Sequence, residues 1–316
     1  MRNLVQKLEN GSTYLATVIE GSDMGMVSYS DFSDVPERFP TIMNGVLYER
    51  LVRRRVLVIC GGGHISRPVC TLGAMLGYEV TVIDDRPEFA CRERFPQAKE
   101  IRCESFASAL QDMPEQASYV IVTRGHKDDA LCLSMILKKS FAYCGMIGSR
   151  IKVAAVMKTM REQGFAEEQL ANVHSPIGLK IGAHTPEEIA VSIAAELISV
   201  NSSQDSSVLP EEIYRKLCDF HGEMVMATII RRQGSAPRGV GARMLICADG
   251  NVCGTIGGGA VEHAAIEHAR SMIGSRNADC QTYALGGGEA AHLGMVCGGT
   301  IDVLFQPIPA ETGDRL

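Results

Sequence analysis

The sequence predicts an α/β protein, a Rossmann-like doubly wound parallel sheet joined to a smaller α+β domain. Three observations carry that prediction. Residues 55–200 alternate short apolar runs with amphipathic stretches, the rhythm of parallel strands covered by helices on both faces. At the head of this block a β-branched run, 56–60, meets Gly61-Gly62-Gly63-His64, passes through a helix-like stretch and returns as a second apolar run, 80–83, closed by Asp84. From about residue 211 the grain changes to short strands separated by tight glycine turns.

Taken in order, residues 1–54 read as a β-rich segment. Gly11-x4-Ala16-Thr17-Val18-Ile19 repeats the spacing of Gly222-x4-Ala227-Thr228-Ile229-Ile230, which predicts an extra strand pair resembling the start of the tail. In the 55–200 domain the expected strands are 56–60, 80–83, a weaker one at 99–101, 119–122 and 142–147. A helix is expected over 128–139, where apolar residues recur at three- and four-residue spacing. Thr185-Pro186-Glu187-Glu188 gives an N-cap, a first-turn proline and a capping-box glutamate for the helix over 189–200. The polar run 201–210 reads as a linker. In 211–316 strands are expected at 224–230, 243–247, 252–256, 281–285 and 300–305. Asp249-Gly250 makes a hairpin turn, and Gly257-Gly258-Gly259 opens a helix to about 272.

Composition narrows the function. The 316 residues suffice for two cores, and a net charge of −6 argues against a nucleic-acid partner. The first residues lack an apolar core of signal-peptide length, and no stretch is apolar and long enough to span a bilayer. Eleven cysteines, scattered singly with no C-x-x-C pair, point to a reducing cytoplasm, with most of them serving as small buried hydrophobes.

The motifs carry the chemistry. In the glycine loop, backbone N–H groups of Gly61, Gly62, Gly63 and His64 at a helix start suit a phosphate or pyrophosphate. Asp84, 23 positions beyond Gly61, suits a ribose hydroxyl. Ser66 stands where a third glycine is usual. Thr123-Arg124-Gly125-His126-Lys127-Asp128-Asp129 follows the fourth strand at the sheet's carboxyl edge. There His126 is a candidate acid, base or ligand contact, and the alternative is a polar loop charging the next helix. Ser149, after the fifth strand, is a helix cap, and Arg150 beside it can reach an anion. His174 has no readable partner. In the tail, Arg238 lies in a glycine-rich loop, and Gly257, Gly258 and Gly259 offer a second helix start for anions. Cys297, between glycines, is a candidate thiolate ligand or nucleophile.

Together GGGH, TRGHKDD, GMIGSR, HSPIGLKIGAHTPEEIA, GSAPRGVGARM, TIGGG and MVCGG resemble the XdhC/CoxI family of molybdenum-hydroxylase accessory proteins, from residue 55 to 307. The resemblance implies a non-enzymatic chaperone. It would bind the molybdenum cofactor, as molybdopterin or its cytosine dinucleotide form, and assist its sulfuration and insertion. The implied partners are a xanthine dehydrogenase-type hydroxylase and a cysteine desulfurase, and Cys297 would lie near the metal. A homodimer is compatible with that reading. Two features depart from the family. The GSAPR/TIGGG/MVCGG domain follows the dinucleotide-type domain instead of preceding it, and Ala260 stands where relatives carry a cysteine after TIGGG. The rival reading is an NAD-dependent oxidoreductase, supported by the same glycine loop and Asp84.

Overall fold

A computed structural model describes residues 2–8, 12–29, 39–203, 207–285 and 298–310. Along the chain come helix α1 (Arg2–Leu8) and strands β1 (Ser12–Val18), β2 (Val27–Tyr29), β3 (Thr41–Met43) and β4 (Val46–Val52). Then follow β5 (Arg55–Cys60), α2 (Ser66–Met75), β6 (Tyr78–Ile83), β7 (Glu100–Arg102), α3 (Phe106–Ala109), β8 (Ser118–Ile121), α4 (His126–Ile136), β9 (Tyr143–Met146), α5 (Arg150–Glu162), α6 (Glu167–Ala171), β10 (Val173–His174) and α7 (Pro186–Ser203). The remainder holds β11 (Ser207–Val208), α8 (Glu211–Asp219), β12 (Met224–Gln233), β13 (Arg243–Cys247), β14 (Val252–Gly254), α9 (Gly259–Ser271), β15 (Asp279–Ala284) and β16 (Thr300–Ile308). The chain divides into two compact units, one of residues 54–204 and one of residues 1–53 with 205–316.

The 54–204 unit is a six-stranded parallel sheet in the order β10-β9-β8-β5-β6-β7. Chain order runs outward from β5 to β7, then restarts at β8 on the other side. The switch point therefore lies between β5 and β8, where such folds bind ligands. Both faces are covered, as the unbroken apolar strands require. On one face α3, α4 and α5 bury Phe106, Leu133, Ile136 and Met160 against β5, β8 and β9. On the other, α2 and α7 bury Val69, Ala190, Ile193 and Leu197 against β5 and β6.

In the other unit, β11, β4, β1 and β2 form a sheet with β3 on β4, and β14-β13-β12-β16-β15 form a second sheet. Leu4, Leu15 and Leu51 from the N-terminal segment share a core with Ile213, Met226 and Leu245 of the tail. Glu49 of β4 and Arg243 of β13 meet as a buried ion pair, with side chains 1% and 3% exposed. The expected N-terminal strand pair is present as β1 and β2, antiparallel, with Leu15 opposite Tyr29; Gly11 of the repeat lies outside the described residues.

Three expectations need correction. The 201–210 run is not a plain linker. Helix α7 continues through Ser203, and Ser207–Val208 pairs in parallel with β4. Helix α4 begins at His126 and ends at Ile136, and Lys139 instead donates to the carbonyls of Leu110, Gln111 and Met113. Of the ten described cysteines only five are buried, while Cys103 and Cys218 are exposed. Cys103 follows β7, the edge strand of the six-stranded sheet among the described residues. Among the described residues, no helix is long and apolar enough to cross a membrane.

Candidate functional site

Beside the switch point, the loops leaving β5, β8 and β9 enclose a cavity of about 450 Å³ lined by Gly63, His64, Thr123, Asp129, Ser149 and Lys152, among others. Each loop runs straight into a helix. The cavity therefore faces the N-terminal ends of α2, α4 and α5, whose leading amides and aligned dipoles favour an anion.

Sequence explains the glycine loop locally. Gly61 has φ +112°, and a Cβ there would collide with the Val122 carbonyl just past β8. A Cβ on Gly62 would stand 2.5 Å from the Phe89 carbonyl oxygen. Gly63 differs, since nothing lies within 4 Å of its missing Cβ, which leaves the cavity open beside it. Ser66 donates to the Gly61 carbonyl (2.5 Å), so the serine in the third-glycine position ties the loop to the helix. Among the described residues no group accepts from the Gly63 or His64 amide.

Opposite the loop, Thr123 Oγ1 donates to Asp129 Oδ1 (2.6 Å) and accepts from the Gly125 amide (3.3 Å). Asp129 is buried, and that burial pushes its carboxyl above the ordinary range, against the pull of Thr123 and the charges of His126 and Lys152. Ser149 caps α5 by accepting from the Lys152 amide (3.4 Å). Arg124 pairs with Asp85 (2.9 Å) and Asp128 (3.5 Å). Sequence reasoning misses Thr123, Asp129 and Lys152 as site residues, although Thr123 and Asp129 stand inside the TRGHKDD motif and Lys152 lies three residues past the Ser149 cap. His126 and Arg150 are exposed and stand outside the cavity wall.

Asp84 requires a correction. It is 1% exposed and holds the chain itself. Oδ2 accepts from the Gly62 amide (2.7 Å) and Arg86 Nη2 (3.0 Å), while Oδ1 accepts from the Arg86 amide (3.1 Å) and Nε (2.9 Å). Burial is the largest influence and raises its carboxyl. The Arg86 side chain and the two amides outweigh it and hold the group below the ordinary carboxylate range. Asp84 therefore anchors the loop and has no oxygen left over for a ribose.

In the other unit the tail motifs converge. A Cβ on Gly234 would lie 3.1 Å from Gly299 Cα, one on Gly299 would strike the Ser235 carbonyl, and one on Gly257 would lie 3.5 Å from Pro237 Cβ. The expected anion site at Gly257, Gly258 and Gly259 is corrected by Glu262. Its Oε2 accepts from the amides of Ile256 (3.1 Å) and Gly258 (2.9 Å) and from the Thr255 hydroxyl. The turn leading into the helix is thus held by the chain's own carboxylate. Arg238 is exposed in the adjoining loop. Cys297 lies outside the described residues. His174 does have partners, the Glu196 carboxylate at 3.3 Å and the Tyr143 ring, centroids 4.8 Å apart.

Family models settle what this arrangement is similar to. The XdhC Rossmann domain matches residues 57–197, and the XdhC and CoxI family matches residues 219–284. The chain belongs to the XdhC/CoxI family. Its curated relatives include the uncharacterized protein YqeB of Escherichia coli strain K12, 30% identical over 60% of this chain and 34% of that one. A probable xanthine dehydrogenase component from Bacillus subtilis strain 168 is 30% identical over 48% of this chain and 44% of its own length. The molybdenum cofactor insertion chaperone PaoD of E. coli strain K12 is 43% identical over 16% of each chain. The chain thus spans from about a third to under half of the first two relatives. Among solved structures, one described as a xanthine dehydrogenase from Bacillus halodurans aligns at TM-score 0.49 and 22% identity, over 66% of each chain.

Proposed function

We propose that this protein is a molybdenum-cofactor chaperone. The cavity beside β5, β8 and β9 would grip the phosphate end of the cofactor for delivery to a xanthine dehydrogenase-type hydroxylase. The observation that carries this is the convergence of three helix N-termini and Lys152 on one cavity, with the Gly63 and His64 amides unclaimed among the described residues. An anionic phosphate fits that donor set through backbone amides and one cation. The names of the relatives, a cofactor insertion chaperone and a probable xanthine dehydrogenase component, support the choice of cargo and recipient. The bound cofactor would supply molybdenum redox chemistry to the recipient. Within this chain, Gly63, His64, Ser149 and Lys152 would only hold and orient it. Sulfuration by a cysteine desulfurase and a metal contact from Cys297 belong to the same proposal.

The test is molybdenum and pterin analysis of protein co-produced with cofactor biosynthesis and purified without oxygen. Wild-type protein should carry both, Lys152→Ala should lose most of the pterin, and Cys297→Ala should lose molybdenum preferentially. A wild-type protein free of pterin overturns the proposal.

A further inference from the structure

The place where a doubly wound fold reads a ribose is already taken. The acid ending the second strand of the unit is the ribose acceptor of dinucleotide-binding folds. Here that acid is Asp84, and four N–H donors from Gly62 and Arg86 occupy its two oxygens. A carboxylate offers about four acceptor sites, so none is left. The Arg86 fork is bidentate and charge-assisted, which a neutral hydroxyl does not displace readily. It is also braced. The guanidinium lies 3.7 Å from the Phe89 ring centroid, and Arg94 Nη2 donates to the Gly62 carbonyl at 3.1 Å. The Phe89 backbone packs against Gly62.

We propose that Arg86 is a specificity-determining residue that occupies the ribose seat, so that the cavity admits a phosphomonoester and turns away dinucleotides such as NAD. The inference rests on the reading of the cavity as a phosphate site. On that reading the cofactor form admitted is molybdopterin ending in a single phosphate. The opposite side of the loop, where Gly63 and His64 face the cavity, remains open to that phosphate.

The experiment titrates NADH by fluorescence into wild-type protein, Arg86→Ala and Arg86→Gln, with inorganic phosphate affinity measured calorimetrically on the same samples. Wild type should bind phosphate and show no NADH binding at millimolar concentration. Arg86→Ala should bind NADH at least tenfold more tightly than wild type, with phosphate affinity unchanged. Arg86→Gln keeps much of the side-chain volume and carries the test if the alanine variant does not fold; it should show the same gain. Wild-type protein that binds NADH as tightly as the variants overturns the inference. So does a folded variant with intact phosphate affinity and no NADH gain. Protein without pterin would sink the chaperone proposal and leave the NADH comparison standing, so the two failures are distinguishable.

Discussion

Among the described residues two glycine runs stand at strand-to-helix junctions, and they have opposite fates. At Gly61-Gly62-Gly63 the chain's own acid, Asp84, takes a single loop amide from the outer side, and the amides that follow face a cavity. At Gly257-Gly258-Gly259 the chain's own acid, Glu262, sits one turn into the helix and accepts from the Ile256 and Gly258 amides, while Thr255 accepts from the Gly257 amide. The same run of residues leaves loop amides facing a cavity in one unit and gives a turn held by its own carboxylate in the other. What decides is the position of the nearest carboxylate, a feature outside the glycines themselves.

The largest expected effect separates the glycines of the open loop from one another. Gly61→Ala and Gly62→Ala each drive a Cβ into a backbone carbonyl, and the first also needs a positive φ. Each should cost about 2–4 kcal/mol in denaturant unfolding. Gly63→Ala meets open space, so its stability should stay within about 1 kcal/mol of wild type while phosphate binding weakens. Equal losses at all three positions would break the comparison.

Next in size is Glu262→Gln. Burial raises this carboxyl, but the Thr255 hydroxyl and the loop amides outweigh it and hold its pKa below the ordinary carboxylate value. Its stabilisation is thus complete above that ordinary value and is lost as pH falls through the lowered one. The variant should be less stable by about 1–2 kcal/mol at pH 7 and converge with wild type under acid conditions. It should also acquire weak phosphate binding at the second loop. A variant with wild-type stability at pH 7 would show that Glu262 does not close that loop.

The smallest effect is electrostatic and lies inside the open cavity. Asn at position 129 keeps an acceptor for Thr123 and removes the buried charge. Asp129→Asn should therefore bind phosphate roughly threefold more tightly at pH 7. Because burial raises the Asp129 pKa, the wild-type carboxyl gains a proton as pH falls through that raised value, and the difference should fade there. Calorimetry across pH checks both the size and the direction.

These contrasts show what the sequence could and could not convey. The β-α-β frame around Gly61 was legible because apolar runs, glycines and Asp84 keep a fixed order that few other folds satisfy. The Ser149 cap and the Thr185–Glu188 capping box were legible because their partners lie only three residues away. The fate of Asp84 was not. Arg86 follows by two residues and can equally point to solvent, and only the fold around Phe89 turns it inward. Glu262 carries a usable signal, an acid in the first turn of a helix opened by three glycines, but the glycines alone draw the eye to an outside anion. Lys152 joins the site only through the parallel ordering of β8 and β9, which brings the start of α5 beside the start of α4.

The most direct measurement is an amide NMR titration of the whole protein with inorganic phosphate. The account predicts saturable shifts at Gly63, His64, Gly125 and Ser149, with Gly257 and Gly258 unmoved. Shifts confined to Gly257 and Gly258, or no saturable shift at Gly63 and His64, would contradict it.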